Sequence, residues 1–188
     1  MRLKDVIKLP AEEQADLFWN INVVKPIYSL RVGLKRYKYK ELGEHCYRDA
    51  DYIKRLFFED NLESLLLGLT ECFNIPKHKL MRIRFVLLLR CVKAIKNDIE
   101  SDIEEQNKLA FFSDEKTKMA MKMSKSEVMN QFGIYNVIET LSEGKKDKWN
   151  YFLNLKYREV KLMVAFNAIS GDLNKRFQKN YEQLNKIS

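Results

Sequence analysis

The sequence contains few of the residues that make turns, with only six glycines and three prolines among 188 residues. Tight turns usually need one of these two residues, so their scarcity favours long regular segments. Hydrophobic residues make up 46% of the chain, which is ordinary for a folded protein and too much for a disordered one. The spacing of these residues is helical. We therefore predict a single all-α domain over residues 1–188, built as an irregular helical bundle around a long central helix.

Long apolar runs are also absent from the sequence. The longest clean run, at residues 85–89, is far shorter than the roughly 20 residues that a membrane span needs. The three cysteines, Cys46, Cys72 and Cys91, have no metal-ligand or redox spacing, and the N-terminal residues are too polar for a secretory signal. An odd number of cysteines without such a signal favours a reducing compartment. We therefore expect no membrane partner and a cytoplasmic location, unless the protein belongs to a virus particle.

Residues suited to catalysis are scarce. Only two histidines, His45 and His78, are present, and no HExxH, CxxC or glycine-rich phosphate loop occurs. His45 adjoins Cys46, but neighbouring side chains point in different directions and seldom act on one atom. The sequence therefore predicts a protein that is not an enzyme and holds no cofactor.

Two pairs of acidic residues are spaced four apart, Asp98 with Asp102 and Glu100 with Glu104. This spacing puts both members of a pair on one helix face, where they could chelate a divalent ion if another helix supplied further oxygens. A solvated face with mildly repelling acids is the more common arrangement. We favour the solvated face and predict no metal site.

Apolar residues between positions 77 and 106 recur three and four residues apart, which is the period of a helix. One stripe consists of Met81, Phe85, Leu88, Val92, Ile95, Ile99 and Ile103. A second stripe beside it consists of Leu80, Ile83, Leu87, Cys91 and Ala94. A helix that is apolar over more than half its circumference needs neighbours on two sides. We predict that residues 77–106 form the central helix, and that its acidic C-terminal half projects towards solvent or a partner.

Capping and breaking residues mark the neighbouring helices. Residues 60–63 resemble a capping box that starts one helix, and Pro76 lies just after its predicted end. Asp147 can cap a last long helix that runs towards the C-terminus. Gly171 lies inside that helix, where it marks a kink, a close contact between helices or a break.

A basic and aromatic segment is predicted at residues 31–45, in a chain whose net charge is +8. Its cations and tyrosines are Arg31, Lys35, Arg36, Tyr37, Lys38, Tyr39 and Lys40. Their alternation indicates an extended arm or a β-ribbon, although Gly33 and the two tyrosines also allow an amphipathic helix. The cations could neutralise phosphates while the tyrosines stack on bases, or the arm could lie on the acidic surface of a neighbouring subunit. These seven residues are the predicted contacts with nucleic acid or with a protein partner.

The segment 107–123 lacks a clean period and is predicted to be a flexible connector. It contains Phe111 and Phe112, with three methionines nearby. Methionine and aromatic residues are common at binding surfaces, although ordinary core packing explains them equally well. We include Phe111 and Phe112 among the predicted partner contacts.

The C-terminal third of the chain has a pattern of apolar segments joined by short polar links. It reads FGIYNVI at residues 132–138, LSEGK at 141–145, LNLKYREV at 153–160 and FN at 166–167, ahead of a charged tail. This pattern resembles that of small helical proteins of tailed bacteriophages, of the tail-assembly or head-to-tail connector kind. The resemblance covers about a third of the chain.

The resemblance implies a structural role in a virus particle or in its assembly, with several copies in a ring and no catalytic residue. The leading hypothesis is a non-enzymatic assembly protein that contacts copies of itself and other structural proteins. Its location would then be the virion or the host cytoplasm. The alternative hypothesis is a small basic nucleic-acid-binding protein that uses residues 31–40.

Overall fold

The computed structural model of the protein describes residues 2–19, 24–59, 61–110 and 132–185. The fold is all-α, as predicted, with a short antiparallel hairpin in the described part of the chain. The helices before the largest gap are α1 Leu3–Val6, α2 Ala11–Trp19, α3 Tyr47–Phe58, α4 Leu62–Phe73, α5 Lys77–Leu80 and α6 Phe85–Ala110. Those after it are α7 Ile134–Leu141, α8 Trp149–Asn154 and α9 Tyr157–Asn185. The hairpin consists of β1 Ser29–Val32 and β2 Lys35–Lys38, and 3₁₀ turns lie at Leu42–Glu44 and Lys146–Lys148.

The chain divides into two compact units, each with buried side chains of its own. Of the described residues, those within 1–45 and 49–101 form the first unit, and those within 46–48 and 102–188 form the second. Helices α3 and α6 contribute residues to both units. The prediction of a single domain over residues 1–188 stays a prediction, because two units that share helices can still unfold together.

The first unit has its core around α3, α4 and α6. Most residues of both predicted stripes of the central helix are buried within it, whereas Ile103 is 37% exposed and belongs to the second unit. Leu88, Val92 and Ile95 represent one stripe, and Cys91 and Ala94 represent the other. The structure thus confirms that this helix packs on two sides.

The ends of α4 follow the capping and breaking residues that the sequence contains. Oδ1 of Asn61 accepts a 2.8 Å hydrogen bond from the backbone N–H of Ser64, which satisfies a free donor at the helix N-terminus. After the helix, Asn74 adopts a left-handed conformation with φ 51°, and Pro76 follows two residues later. The predicted end of the helix is confirmed, whereas the helix begins one residue later than a capping box at residues 60–63 implies, because Asn61 is the N-cap.

The predicted central helix 77–106 is interrupted between α5 and α6. In the gap, the carbonyl oxygen of Ile83 accepts a 3.2 Å hydrogen bond from the N–H of Leu3, and Arg84 pairs with Arg2 in an isolated antiparallel bridge. A backbone that pairs with the N-terminal segment cannot also make the i to i+4 bonds of a helix. The prediction of one continuous helix is therefore wrong at its N-terminal end.

The predicted last helix is interrupted between α8 and α9 in the second unit. Leu155 has an extended backbone, and its carbonyl oxygen accepts a 2.8 Å hydrogen bond from the N–H of Tyr47. Beside it, Cys46 and Lys156 form an isolated antiparallel bridge. Asp147 lies inside the 3₁₀ turn before α8, so the prediction that it caps a single long helix is wrong.

Helix α9 continues through Gly171 without a break. A Cβ added to Gly171 would meet no described atom within 4 Å. The glycine therefore serves neither a helix end nor a close helix contact within the described residues, and two of its predicted explanations are wrong.

Candidate functional site

Strands β1 and β2 form a hairpin in the first unit, within the predicted basic segment. Gly33 opens its two-residue turn with φ +63°, a conformation that glycine adopts without strain. Of the structures that the sequence allows at residues 31–40, the β-ribbon is correct as far as residue 38, and the helix is wrong. The ribbon does not reach residue 45, because Leu42–Glu44 form a 3₁₀ turn and Leu42 is buried.

The pleat of the hairpin turns alternate side chains to opposite faces, so Lys35 shares the face of Tyr37 and Lys38 shares that of Arg36. Leu30 pairs with Tyr37 and both are buried, whereas Arg31 pairs with Arg36 and both are exposed. Nη2 of Arg36 donates a 2.9 Å hydrogen bond to Oγ of Ser29. The predicted contact residues that are exposed in the structure are Arg31, Lys35, Arg36, Lys38 and Lys40.

Tyr37 is a core residue of the first unit. Its side chain is 4% exposed, and Nζ of Lys79 donates a 2.9 Å hydrogen bond to its hydroxyl. The Nζ atoms of Lys35 and Lys79 lie 5.2 and 5.7 Å from its ring centroid, within the range of cation–π attraction. The structure therefore departs from the predicted contact role, because the pleat turns Tyr37 to the same face as Leu30.

Tyr39 anchors the end of the hairpin to α6. Its hydroxyl donates a 2.6 Å hydrogen bond to Oδ2 of Asp98, and the same oxygen accepts a 2.8 Å bond from the N–H of Leu42. The ring centroid of Tyr39 lies 5.4 Å from that of Phe73. Burial and the hydrogen bond to Asp98 raise the pKa of Tyr39, so the phenol stays protonated. This second predicted contact residue is thus also held within the fold.

Asp102 is the anchor of the second unit, with a side chain that is 6% exposed. Its Oδ2 accepts hydrogen bonds of 2.7 Å from the hydroxyl of Tyr157 and 2.9 Å from Nε2 of Gln106. Nζ of Lys161 donates bonds of 2.6 Å to Oδ1 of Asp102 and to Oε2 of Glu105. Burial and the bond to Asp102 raise the pKa of Tyr157. Burial acts to lower the pKa of Lys161, but its two carboxylate partners outweigh it and the pKa is raised.

The acidic pairs of α6 depart from the predicted solvated face. Asp98 is half-buried and Asp102 is buried, whereas Glu100 and Glu104 are exposed. Within the described ranges, no three His, Cys, Asp or Glu side chains are grouped so that they could hold a metal ion. The prediction is wrong for Asp98 and Asp102 because their tyrosine partners lie 59 and 55 residues away in sequence.

His45 is buried at the end of the hairpin segment, with 4% exposure. Its Nε2 lies 3.3 Å from the carbonyl oxygen of Lys40. Burial and the charge of Lys40 lower the pKa of His45 from its ordinary value of 6.5, so the ring is neutral at pH 7. His78, in contrast, is exposed on α5.

Helix α9 carries an exposed apolar face. Its side chains are between 44% and 71% exposed, and they are Leu162, Phe166, Ile169, Leu173, Phe177 and Tyr181. Viewed along the helix, these residues fall within an arc of roughly 120°. No described side chain from residue 166 to 185 is buried. This group is called the apolar face of α9 below.

Phe111 and Phe112 lie outside the described residues, as do positions 111–123 of the predicted connector. Residues 107–110 belong to α6, so the connector does not begin at residue 107. None of the described helices combines the length and the apolar character that crossing a membrane requires.

Comparison with known protein families, curated proteins and solved structures finds no match to this chain. The function therefore has to be inferred from the two exposed surfaces described above. The hairpin presents positive charge, and α9 presents apolar surface.

Proposed function

We propose that this chain is a non-enzymatic assembly protein that associates with further copies of itself through the apolar face of α9. The observation that carries the proposal is the exposure of large side chains on one helix face, with Phe166 and Phe177 70% and 71% exposed. Scattered apolar residues are normal on a protein surface, but several large apolar side chains exposed along one helix face mark an interaction site. Amphipathic helices commonly bury such a stripe against a partner.

The stability of an isolated helix supports the same conclusion. Residues 166–185 contribute no buried side chain among those described, so this part of α9 receives little support from packing. In proteins, most of the stability of a helix comes from tertiary packing of its amphipathic face rather than from intrinsic helix propensity. Covering the apolar face with another chain would supply the missing packing.

The pattern within the stripe favours a second copy as the covering partner. Asn180 follows Leu173 by seven residues, so it lies in line with the stripe and interrupts its apolar surface. Paired helices use a single asparagine in their seam to fix register, because it can hydrogen-bond to the same residue of the partner helix. A parallel pair of α9 helices would bring two copies of Asn180 face to face.

The more specific form of the proposal is a tail-assembly or head-to-tail connector part of a tailed bacteriophage, present in several copies. It is supported by the resemblance of the pattern at residues 132–167 to such proteins. The non-enzymatic character is supported by the buried acids, because Asp98 and Asp102 are engaged in hydrogen bonds that hold the fold together.

Light scattering on two matched double variants tests self-association. The first is Leu173→Glu with Phe177→Glu, which places two charges on the apolar face. The second is Asn174→Glu with Gln178→Glu, which adds the same two charges at exposed positions about 100° further round the helix. Glutamate is a good helix former, so neither variant should melt α9 through propensity.

We expect an oligomer for the unmodified chain and for the Asn174 and Gln178 variant, and the monomer mass for the Leu173 and Phe177 variant. A monomer at every concentration of the unmodified chain would contradict the proposal. Equal masses for the two double variants would show that the chains associate through another surface.

A further inference from the structure

Two long stretches of the sequence contain basic residues and no acid. Residues 17–40 hold six lysines and arginines, and residues 72–97 hold seven, with neither aspartate nor glutamate in either stretch. In a chain with 26 acidic residues, these gaps concentrate positive charge in two segments. Separate stretches make one basic surface only if the fold brings them together.

The fold of the first unit brings these stretches into contact at several points. Nε of Arg90 donates a 2.9 Å hydrogen bond to the carbonyl oxygen of Lys25. The backbone N–H of Lys40 donates a 2.8 Å hydrogen bond to the carbonyl oxygen of Cys72. Nζ of Lys79 reaches the hydroxyl of Tyr37 at the hairpin. The hairpin and α5 therefore belong to one basic region.

Several cations of this region lie on or beside the hairpin. Arg31 is paired with Arg36 across the strands, with Nε of Arg31 donating to the carbonyl oxygen of Gly33 and Nη2 of Arg36 donating to Oγ of Ser29. Lys35 and Lys79 both approach the ring of Tyr37, so their Nζ atoms are no more than roughly 11 Å apart. Both arrangements bring positive charges together within the fold.

Carboxylates do not neutralise these cations within the described part of the chain. None of its aspartates or glutamates forms an ion pair with Arg31, Lys35, Arg36, Lys38 or Lys79. An anion from outside the chain would therefore meet several cations that have no carboxylate partner among the described residues.

We propose that these five residues, which lie on both faces of the hairpin and beside it and are here called the basic cluster, bind the phosphate backbone of a nucleic acid. This function is additional to self-association and does not depend on it, because it uses a different surface. Lysine and arginine supply most of the affinity for nucleic acid by neutralising phosphates and releasing counterions. Arginine also matches a phosphate with two parallel hydrogen bonds.

Two exposed side chains favour nucleic acid over an acidic protein as the partner. Leu34 is 96% exposed at the tip of the hairpin, next to Lys35 and Arg36. Proteins that bind in a groove or between bases insert apolar side chains of this kind among their cations. Tyr28 is 56% exposed just before β1, where its ring can stack on an unpaired base.

Fluorescence anisotropy with the full chain tests the inference. The probes are a labelled 20-nucleotide single-stranded DNA, the same DNA as a duplex, and single-stranded RNA of the same sequence, each at several salt concentrations. The test variant is Lys35→Gln with Lys38→Gln. The matched control is Lys175→Gln with Lys179→Gln, which removes the same charge from exposed positions on α9.

We expect the test variant to bind at least one probe about tenfold more weakly than the unmodified chain, with a salt slope smaller by about two. The control should bind like the unmodified chain. Lys35→Arg with Lys38→Arg keeps the charge and should keep the affinity. Both lysines are exposed, and an unchanged oligomer mass and circular dichroism spectrum would show that the test variant is folded.

Binding to none of the three probes at low salt would overturn the inference, as would equal weakening in test and control variants. Binding to polyglutamate by a chain that binds no nucleic acid would also overturn it, and would identify the partner as an acidic protein.

Discussion

The hydroxyl of Tyr157 donates a 2.7 Å hydrogen bond to Oδ2 of Asp102, a carboxylate that is almost fully buried. This bond joins the first turn of α9 to the C-terminal part of α6 within the second unit. A buried carboxylate is tolerated only when hydrogen-bond donors surround it. The loss of one donor leaves a buried oxygen without that hydrogen bond, which destabilises the folded state. The stability of the second unit should therefore depend on each of the hydrogen bonds that Asp102 accepts.

Tyr157→Phe removes one oxygen from the cluster and leaves the ring in place. We expect the free energy of unfolding to fall by about 1–3 kcal/mol, because Asp102 loses a donor that water cannot readily replace. Urea denaturation of Tyr157→Phe and of Tyr151→Phe makes the comparison, since Tyr151 is 60% exposed and should tolerate the change. Equal stability of the two variants would show that the hydroxyl of Tyr157 contributes nothing.

The two helical glycines Gly68 and Gly171 should respond in opposite ways to alanine. A Cβ on Gly68 would overlap the ring of Phe57, which is itself buried, so we expect Gly68→Ala to lose about 1–3 kcal/mol. A Cβ on Gly171 would meet no described atom within 4 Å, so Gly171→Ala should gain about 0.5–1 kcal/mol from helix propensity. Thermal unfolding of both variants would contradict this account if the two midpoints shifted in the same direction.

His45 should make stability depend on pH. Its pKa is lower in the folded chain than its ordinary value of 6.5, so the unfolded chain binds the proton more tightly. The contribution of His45 to the free energy of unfolding therefore has its full value above about pH 6.5. It falls as the pH decreases from there towards the lowered pKa. The hydrogen bond to the carbonyl oxygen of Lys40 and the charges of Asp49 and Asp98 raise this pKa, but burial and the charge of Lys40 outweigh them.

Replacing each histidine in turn isolates this effect. His45→Gln should lose less stability than the unmodified chain between pH 7.5 and 5.5, by on the order of 1 kcal/mol. His78→Gln, at an exposed position, should lose as much stability between pH 7.5 and 5.5 as the unmodified chain does. Chemical denaturation at both pH values provides the measurement, and an unchanged pH dependence in His45→Gln would rule out this role.

Local features of the sequence were enough to predict much of the helical fold. The apolar repeat of α6 predicts burial on two sides, and the residues around Asn61 and Pro76 predict the ends of α4, because periodicity and capping act within a few residues. The breaks before α6 and before α9 could not be predicted in this way. They arise from backbone pairing with residues 2–3 and 46–47, which lie far away along the chain.

The candidate surfaces show the same division between local and distant causes. The positive charge of the hairpin follows from Arg31, Lys35 and Arg36 themselves, and Gly33 allows the turn between its strands. The hydroxyl of Tyr37, in contrast, accepts its hydrogen bond from Lys79, which lies 42 residues away. The repeat of α9 predicts an apolar face, but periodicity alone does not reveal whether another element covers that face.

Hydrogen exchange of the backbone amides in residues 166–185 tests the central claim most directly, because it reports whether the apolar face of α9 is covered. The unmodified chain should be compared with the Leu173→Glu and Phe177→Glu double variant at a concentration at which the unmodified chain is oligomeric. We predict slow exchange in the unmodified chain and much faster exchange in the variant, since a helix without packing opens readily. Equally fast exchange in both would contradict the account.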